Sequence, residues 1–276
     1  MTATLSEQSA EEVGRFPEPV VRFDGVSKRF APDVTALDDV TFSVRPGEVV
    51  VLLGLSGSGK STLLRHVDGL RRPTSGTVSV LDTDVGNAGG RTLRGLRTRI
   101  GFIFQQFDLV GSLTLLENVC TGALGRLRGP RLGLLSYPRD VRLEALRQLE
   151  RVGLADQAFQ RADTLSGGQQ QRGAVARALL QRPEILLADE PVASLDPESS
   201  AQVMALIREI SAEDGLTVLC SLHQVDLALS WGDRMVGLRG GRVVLDTAAS
   251  GLGRDEVMAV YSQVGATADA VLAAAV

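Results

Sequence analysis

The stretch VVVLLGLSGSGKST, residues 49–62, decides the fold of this 276-residue chain. Its first five residues are all apolar, which is typical of a strand that is buried on both faces of a parallel sheet. The next eight, GLSGSGKS, fit the pattern G-x-x-x-x-G-K-[ST], and the following STLLRHVDGL predicts a helix. Glycines let the backbone curl between strand and helix, so that several N–H groups point at one anion. The stretch therefore predicts a phosphate-binding loop.

Lys60 and Ser61 give this loop its chemistry. The Lys60 ammonium can reach the β- and γ-phosphates of a nucleoside triphosphate, and the Ser61 hydroxyl can ligate Mg²⁺. An ordinary Gly-Ser turn needs neither a lysine nor a hydroxyl at these positions. We therefore expect a nucleoside triphosphate and Mg²⁺ as ligands. The ATP-binding residues predicted in this segment are Gly54, Leu55, Ser56, Gly57, Ser58, Gly59, Lys60, Ser61 and Thr62.

Two adjacent carboxylates end a second apolar run, ILLADE, at residues 185–190. Ligands in open α/β sheets lie at the carboxyl ends of the strands, so we expect Asp189 beside the phosphate loop, holding the Mg²⁺ shell through water. Glu190 follows and is placed to act on an attacking water molecule. Alone, the pair could be a solvated acidic turn before Pro191. Together with a phosphate loop, it predicts a site of nucleotide hydrolysis.

A third motif, LSGGQQQR, spans residues 165–172 and precedes the acidic strand by one helix. We expect Ser166, Gly167 and Gly168 to open that helix, where free N–H groups and the positive end of the dipole attract anions. Alone, the motif could be an N-cap followed by a flexible loop. In this order along the chain, it predicts a second phosphate-binding surface.

The remaining segments predict an α/β fold with a mostly parallel sheet core. VVRFDGVSKRF and ALDDVTFSV alternate apolar and polar residues, and we expect an N-terminal antiparallel β subdomain there. A helical pattern predicts an inserted α-helical subdomain at about residues 106–165. Its helix near residue 145 is expected to bury one face that carries Val141, Leu143, Leu146, Leu149 and Val152. We expect a disordered tail at 1–19, an ATPase domain at 20–262 and an Ala-rich tail at 263–276.

Composition excludes several classes of protein. Lys and Arg number 29 against 33 Asp and Glu, and a net charge of −4 argues against non-specific nucleic-acid binding. Cys120 and Cys220 lie in apolar contexts without metal-ligand spacing, which predicts buried free thiols. We expect His66, inside the helix after the phosphate loop, to be structural. No apolar run approaches the roughly 18 residues that span a bilayer, and the N-terminal residues lack the pattern of a secretory signal.

In their order and spacing, these motifs resemble the nucleotide-binding subunit of ATP-binding cassette (ABC) transporters, from about Val20 to Tyr261. The resemblance implies a P-loop NTPase fold and assigns further roles. Phe30 would stack on adenine, Gln105 would ligate Mg²⁺ and sense the membrane subunit, and His223 would contact the γ-phosphate. Glu190, His223 and Lys60 would be catalytic. The signature would be Leu165, Ser166, Gly167, Gly168 and Gln169, and the D-loop would be Ser194, Leu195 and Asp196.

The resemblance also implies partners. In this family two ATPase subunits sandwich two ATP molecules head to tail, each ATP touching one phosphate loop and the signature of the other subunit. We therefore expect a homodimer that binds integral membrane permease subunits, in a complex that includes an extracytoplasmic solute-binding protein. The subunit would be peripheral, on the cytoplasmic face of the cell membrane. No nucleic-acid partner is expected.

Three longer stretches, RADTLSGGQQQR, LADEPVASLDPESSAQVM and SLHQVDLAL, are similar to the phosphonate-importing members of the family. The chain departs from that pattern at Ser221, where an asparagine is expected, and at Gly173, where valine is common. We expect neither departure to touch the chemistry. The alternatives are an importer for phosphite, another oxyanion, an amino acid or a metal ion, a soluble ABC ATPase, and a non-catalytic nucleotide-binding module.

Overall fold

The computed structural model describes residues 17–129 and 133–261 of the chain. Its strands are β1 (Val21–Phe30), β2 (Val34–Val44), β3 (Val49–Leu53), β4 (Ser75–Val80), β5 (Thr83–Asp84), β6 (Ile100–Ile103), β7 (Ile185–Asp189), β8 (Thr217–Ser221), β9 (Arg234–Arg239) and β10 (Arg242–Ala248). Its helices are α1 (Lys60–Val67), α2 (Gly90–Arg97), α3 (Leu115–Cys120), α4 (Arg139–Arg151), α5 (Gly167–Leu180), α6 (Pro197–Asp214), α7 (Val225–Trp231) and α8 (Arg254–Tyr261). Short 3-10 turns lie at Thr121–Arg126, Leu134–Ser136, Ala155–Gln157 and Ala162–Thr164.

A six-stranded sheet forms the core, in the order β10-β9-β3-β8-β7-β6. The pairs β9–β3, β3–β8, β8–β7 and β7–β6 are parallel, and β10 pairs antiparallel with β9 at the edge. The central strands are the apolar runs of the sequence, and every residue of β3 and β8 is buried. Because β3, β7 and β8 are parallel neighbours, the loops that leave their carboxyl ends meet at one edge of the sheet.

A second sheet, antiparallel and four-stranded, has the order β2-β1-β4-β5. Its inward residues, such as Phe23 and Leu37, join one apolar cluster with Leu63 of α1 and with Val50 and Leu52 of β3. The rings of Phe23 and Phe42 stack with centroids 4.9 Å apart. The antiparallel sheet and α1 therefore cover one face of the core sheet, and the predicted β subdomain is confirmed.

The opposite face of the core sheet carries Val49, Val51 and Leu53, which alternate with the residues of the first cluster along β3. Apolar residues of α3 to α7 cover them in a second cluster. The predicted parallel core with both faces covered is thus confirmed. Between residues 106 and 165, the described residues form helices, 3-10 turns and the isolated bridge Thr114–Arg161, but no strand.

One predicted helical face is wrong in part. Val141, Leu149 and Val152 are buried and Leu146 packs partly against them, but Leu143 is 44% exposed. Leu143 lies two residues after Val141, about 200° around the helix, so it points away from the core. The buried face of α4 instead holds Val141, Glu144, Ala145 and Leu149.

Smaller expectations have mixed outcomes. Cys120 and Cys220 are both buried and free, as predicted. His66 is fully buried, with its Nδ1 2.7 Å from the Thr62 carbonyl oxygen, which fits a structural role. Helix α2 was not predicted, because its glycine-rich segment carries only two buried leucines, Leu93 and Leu96. Residues 1–16 and 262–276, which include most of both expected tails, lie outside the described residues.

Candidate ATP-binding site

The loop between β3 and α1 owes its shape to three glycines with positive φ. These angles are 146° at Gly54, 78° at Gly57 and 109° at Gly59, a region that side-chain-bearing residues rarely adopt. Space excludes a side chain at two of them. A Cβ would lie 2.3 Å from the Leu238 carbonyl oxygen at Gly54 and 2.5 Å from the Ala36 carbonyl oxygen at Gly59. The neighbouring strands therefore lie so close to the loop that only glycine fits at these two positions.

Lys60 is the first residue of α1, and its side chain folds back over this loop. The ammonium donates to the carbonyl oxygens of Gly54 and Leu55, at 2.8 and 3.1 Å. It also lies 3.9 Å from Glu190 Oε1. Burial lowers the pKa of Lys60, while the nearby carboxylates of Glu190 and Asp189 act in the opposite direction. A buried cation with this reach suits the terminal phosphates of a nucleotide.

Asp189 ends β7 directly opposite the phosphate loop. The Ser61 hydroxyl donates to Asp189 Oδ1 at 3.0 Å, so the structure places these two expected Mg²⁺ ligands side by side. The hydroxyl of Ser221, at the end of β8, donates to the same oxygen at 2.8 Å. A hydroxyl and a carboxylate are hard oxygen donors, which are the ligands that Mg²⁺ prefers.

Glu190 and His223 meet at the same edge of the sheet. His223 Nε2 forms a short hydrogen bond with Glu190 Oε1, although the two residues lie 33 positions apart. Glu190 has a φ of 50°, and its N–H donates to Ser221 Oγ at 2.9 Å. The structure thus brings Lys60, Glu190 and His223 together around one carboxylate oxygen.

A cavity of about 330 Å³ runs along this group of residues. Phe30 lies at the end of β1 and lines the cavity together with Gly57, Lys60 and Glu190. Lys28 Nζ and Arg71 Cζ lie 5.3 and 5.5 Å from the centroid of the half-buried Phe30 ring. An aromatic ring near one part of the cavity and phosphate-binding groups near another match the two parts of a nucleotide.

Gln105 lies apart from this group. It is exposed in the turn after β6, and among the described residues no hydrogen bond joins it to Ser61 or Asp189. The geometry therefore does not by itself assign Gln105 to the metal.

The residues of the LSGGQ motif also lie outside the cavity. Ser166 and Gln169 form a capping box at the start of α5, with the Ser166 N–H donating to Gln169 Oε1 at 2.9 Å. A Cβ at Gly167 would lie 3.2 Å from Leu195 of the expected D-loop, whose Asp196 caps α6. Motif and D-loop thus pack together on the same chain. Of the other residues predicted in these two segments, Leu165 of the motif is buried and Ser194 of the D-loop is exposed.

Sequence reasoning missed two residues of the site. The expectation that Ser221 does not touch the chemistry is wrong, since its hydroxyl bonds Asp189 and the Glu190 amide. Its place opposite Asp189 comes from the register of β7 and β8, which no motif of the sequence indicates. The Tyr261 hydroxyl accepts from the Gly54 N–H at 3.3 Å, a contact that no motif predicts. At Gly173 the expectation agrees with the structure: a Cβ there would lie 2.5 Å from Leu115 Cδ1, so the glycine serves packing.

The family model described as "ABC transporter" matches residues 37–193, which is more than half of the chain. The chain belongs to the ABC transporter family. The match covers the phosphate loop, the LSGGQ motif and the acidic strand, and the ABC ATPase fold expected from the sequence is confirmed. As the members of this family do, the ABC domain binds ATP. Among the described residues, no helix is both long enough and apolar enough to cross a membrane.

Two relatives of this ABC chain are close in sequence. It is 74% identical to the "Phosphonates import ATP-binding protein PhnC" of Frankia casuarinae, over 89% of this chain and 96% of the relative. It is 62% identical to the "Phosphate-import ATP-binding protein PhnC" of Mycolicibacterium smegmatis, over 87% and 90%. Both alignments extend well beyond the shared motifs.

Solved ABC structures share the fold. A dimeric ATP-binding cassette, MJ0796, in a post-hydrolysis state with ADP and Pi, matches with a TM-score of 0.73 and 35% identity, over 84% of this chain and all of that chain. The protein cbiO1 of Clostridium perfringens, part of the ABC transporter complex cbiONQ, matches with a TM-score of 0.76 and 26% identity, over 92% and 99%.

Proposed function

We propose that this chain is the ATP-hydrolysing subunit of an ABC importer and that its cargo is a phosphonate. The observation that carries the ATPase is the meeting of Lys60, Asp189, Glu190 and His223 at the carboxyl ends of three parallel strands. The assignment of a phosphonate as the cargo rests on a different observation, the 74% identity to a phosphonates import ATP-binding protein. The two parts of the proposal are therefore tested separately.

ATP binds along the cavity between β1 and the phosphate loop. Phe30 stacks on the adenine ring, since an aromatic ring that lines the same cavity as the phosphate loop can contact the face of a base. The backbone N–H groups of residues 54–62 surround the phosphates. Lys60 exchanges its bonds to the Gly54 and Leu55 carbonyl oxygens for bonds to the β- and γ-phosphates.

Ser61 and Asp189 would hold Mg²⁺, Asp189 through water. Their oxygens are already 3.0 Å apart, and no larger set of acidic, Cys or His side chains gathers elsewhere among the described residues. This sparse donor set fits Mg²⁺, which usually takes one or two protein ligands together with phosphates and waters. The chemistry that Mg²⁺ supplies in such a site is charge neutralisation on the β- and γ-phosphates. Gln105, which is exposed in the turn after β6, is a further candidate for this shell.

Hydrolysis proceeds by in-line attack of water on the γ-phosphorus. Glu190 orients this water and takes its proton. The bond between the γ-phosphorus and the ADP oxygen breaks as the bond between the water oxygen and the γ-phosphorus forms. His223, which bonds the Glu190 carboxylate, turns toward the γ-phosphate and stabilises its charge together with Lys60. General-base catalysis of this kind contributes typically 10²- to 10⁴-fold to a rate.

A second copy of the chain completes each site. The LSGGQ motif opens α5 with free N–H groups, yet it lies outside the cavity of its own chain. A head-to-tail homodimer places the Ser166 hydroxyl and the Gly168 N–H group of one copy on the γ-phosphate held by the other, since the Ser166 N–H is already bonded to Gln169. The dimeric cassette MJ0796 with ADP and Pi, at 35% identity, supports this assembly.

A groove beside the turn of Gln105 is the proposed contact with the permease subunits. It has a volume of about 270 Å³ and is lined by Phe102, Phe104, Gly122 and Arg177. The Phe102 and Phe104 rings stack with centroids 4.2 Å apart and offer an apolar surface. Binding there holds the subunit on the cytoplasmic face of the membrane, in a complex with an extracytoplasmic solute-binding protein.

Phosphate is the second candidate cargo, because a relative at 62% identity is named a phosphate-import protein. The ATPase subunit does not touch the solute, so geometry alone does not separate the two. The experiment compares uptake of radiolabelled 2-aminoethylphosphonate and of phosphate in cells that carry wild-type protein or the Glu190→Gln variant. We expect the variant to lose phosphonate uptake and to keep phosphate uptake. Loss of phosphate uptake alone would favour the second cargo, and unchanged uptake of both would overturn the importer proposal.

A further inference from the structure

Ser221 occupies a special position in the core sheet. It is the last residue of β8 and is fully buried, with Leu52 of β3 opposite it on one side and Asp189 of β7 on the other. Its side chain therefore lies between the strand that leads into the phosphate loop and the strand that ends in the carboxylates. A polar side chain buried there needs partners, and it has two.

The Ser221 hydroxyl works as both donor and acceptor. It donates to Asp189 Oδ1 at 2.8 Å and accepts from the Glu190 N–H at 2.9 Å. The Glu190 N–H also points at the Ser221 carbonyl oxygen, at 3.2 Å. One hydroxyl thus connects the proposed metal ligand with the backbone of the proposed base, whose φ of 50° needs support from its surroundings.

These bonds fix the orientation of the Asp189 carboxylate. Oδ1 accepts from both Ser61 and Ser221, whereas no hydrogen bond from a described residue reaches Oδ2. A carboxylate held by two hydroxyls through one oxygen cannot rotate freely about its Cβ–Cγ bond. If the Ser61 hydroxyl turns away to ligate a metal ion, its hydrogen bond to Asp189 Oδ1 is lost. The Ser221 hydroxyl then remains as the donor to that oxygen.

We propose that Ser221 is a positioning residue that holds Asp189 ready for the Mg²⁺ of the nucleotide and steadies Glu190 next to it. This inference rests on the proposed ATPase function and on Asp189 as a ligand. It adds a residue to which the motifs assign no role. A hydrogen bond to a charged group is among the stronger ones in a protein, so its loss is expected to weaken metal binding by about tenfold.

The test separates the hydroxyl from the shape of the side chain. Thr and Val are both β-branched and differ at this position in the hydroxyl group, so Ser221→Thr and Ser221→Val form a matched pair. Binding of Mn²⁺, as a probe for Mg²⁺, is measured by electron paramagnetic resonance on the purified full chain with a non-hydrolysable ATP analogue. Binding of the analogue without metal is measured on the same samples.

We expect Ser221→Val to bind Mn²⁺ about tenfold more weakly than Ser221→Thr, with metal-free nucleotide affinity equal in the two. Equal Mn²⁺ affinity in this pair would overturn the inference. If Ser221→Val does not fold, Ser221→Ala takes its place under the same criterion. Ser211→Ala is the control for loss of a buried hydroxyl, because Ser211 is buried in α6 and, among the described residues, its hydroxyl bonds just the Ile207 carbonyl oxygen.

Asp189→Asn distinguishes the failure of this inference from the failure of the proposed function. Weak Mn²⁺ binding in Asp189→Asn with equal binding in the Thr and Val variants would overturn the role of Ser221 alone. Unchanged Mn²⁺ binding in Asp189→Asn would overturn Asp189 as a ligand, and the inference with it.

Discussion

Replacing Phe30 by alanine tests how the nucleotide lies in the cavity. The ring is half-buried at the end of β1, flanked by Lys28 and Arg71, and lines the same cavity as Lys60. Stacking of a base on an aromatic side chain contributes about 1–3 kcal/mol by alanine substitution. Phe30→Ala is therefore expected to weaken ATP binding by about 5- to 150-fold.

The assay is calorimetric titration of the purified chain with ATP and, separately, with tripolyphosphate. Because tripolyphosphate lacks a base, its affinity is expected to stay unchanged in Phe30→Ala, and Phe30→Trp is expected to restore ATP binding. Phe159→Ala is the matched control, since Phe159 is 69% exposed and lines no part of the cavity. Equal losses for ATP and tripolyphosphate would refute the reasoning, because they would mean that Phe30 supports the phosphate loop rather than the base.

Further predictions concern the phosphate loop, Tyr261 next to it, and the pH dependence of folding stability. Gly59→Ala forces a Cβ to within 2.5 Å of the Ala36 carbonyl oxygen and is expected to reduce ATP affinity more than tenfold by calorimetry, whereas Gly95→Ala, with nothing within 4 Å, should leave it unchanged. Tyr261→Phe removes the acceptor for the Gly54 N–H and is expected to lower ATP affinity several-fold in the same assay, without a change in far-UV circular dichroism. Burial raises the pKa of Asp68 from 3.8 to about 6, so the folded protein binds this proton more tightly than the unfolded chain does. Stability from this group is then highest at low pH and falls by up to about 3 kcal/mol as pH rises from about 4 to 6; urea unfolding of Asp68→Asn should lack this fall.

Much of the fold could be predicted because its signals are local. Continuous apolar runs marked the buried strands β3 and β7, and alternation marked β1 and β2. Helix α2 escaped prediction because the glycines around it weaken helix propensity, and the packing of Leu93 and Leu96 that helps to hold it is seen in the folded chain. The error at Leu143 has a similar origin, because the elements that pack against α4 decide which of its apolar residues are buried.

The residues of the site also divide into those that local sequence signals predict and those that need the folded chain. Lys60, Ser61, Asp189 and Glu190 could be predicted because each stands at a fixed distance from a strand or helix end within a motif. Ser221 could not, because its role comes from strand register, which places it opposite Asp189 across 32 positions of sequence. The Tyr261 contact joins residues 207 positions apart and needs the folded chain to be seen.

The central claim is that this chain hydrolyses ATP at a site that a second copy completes. The most direct measurement is phosphate release from Mg·ATP by the purified full chain, across a range of protein concentrations, for wild type and Glu190→Gln. We predict that the wild-type rate rises more steeply than linearly with protein concentration. Glu190→Gln should lose 10²- to 10⁴-fold in rate while still binding ATP. A variant as active as wild type, or a wild type that binds ATP but releases no phosphate at any concentration, would contradict the account.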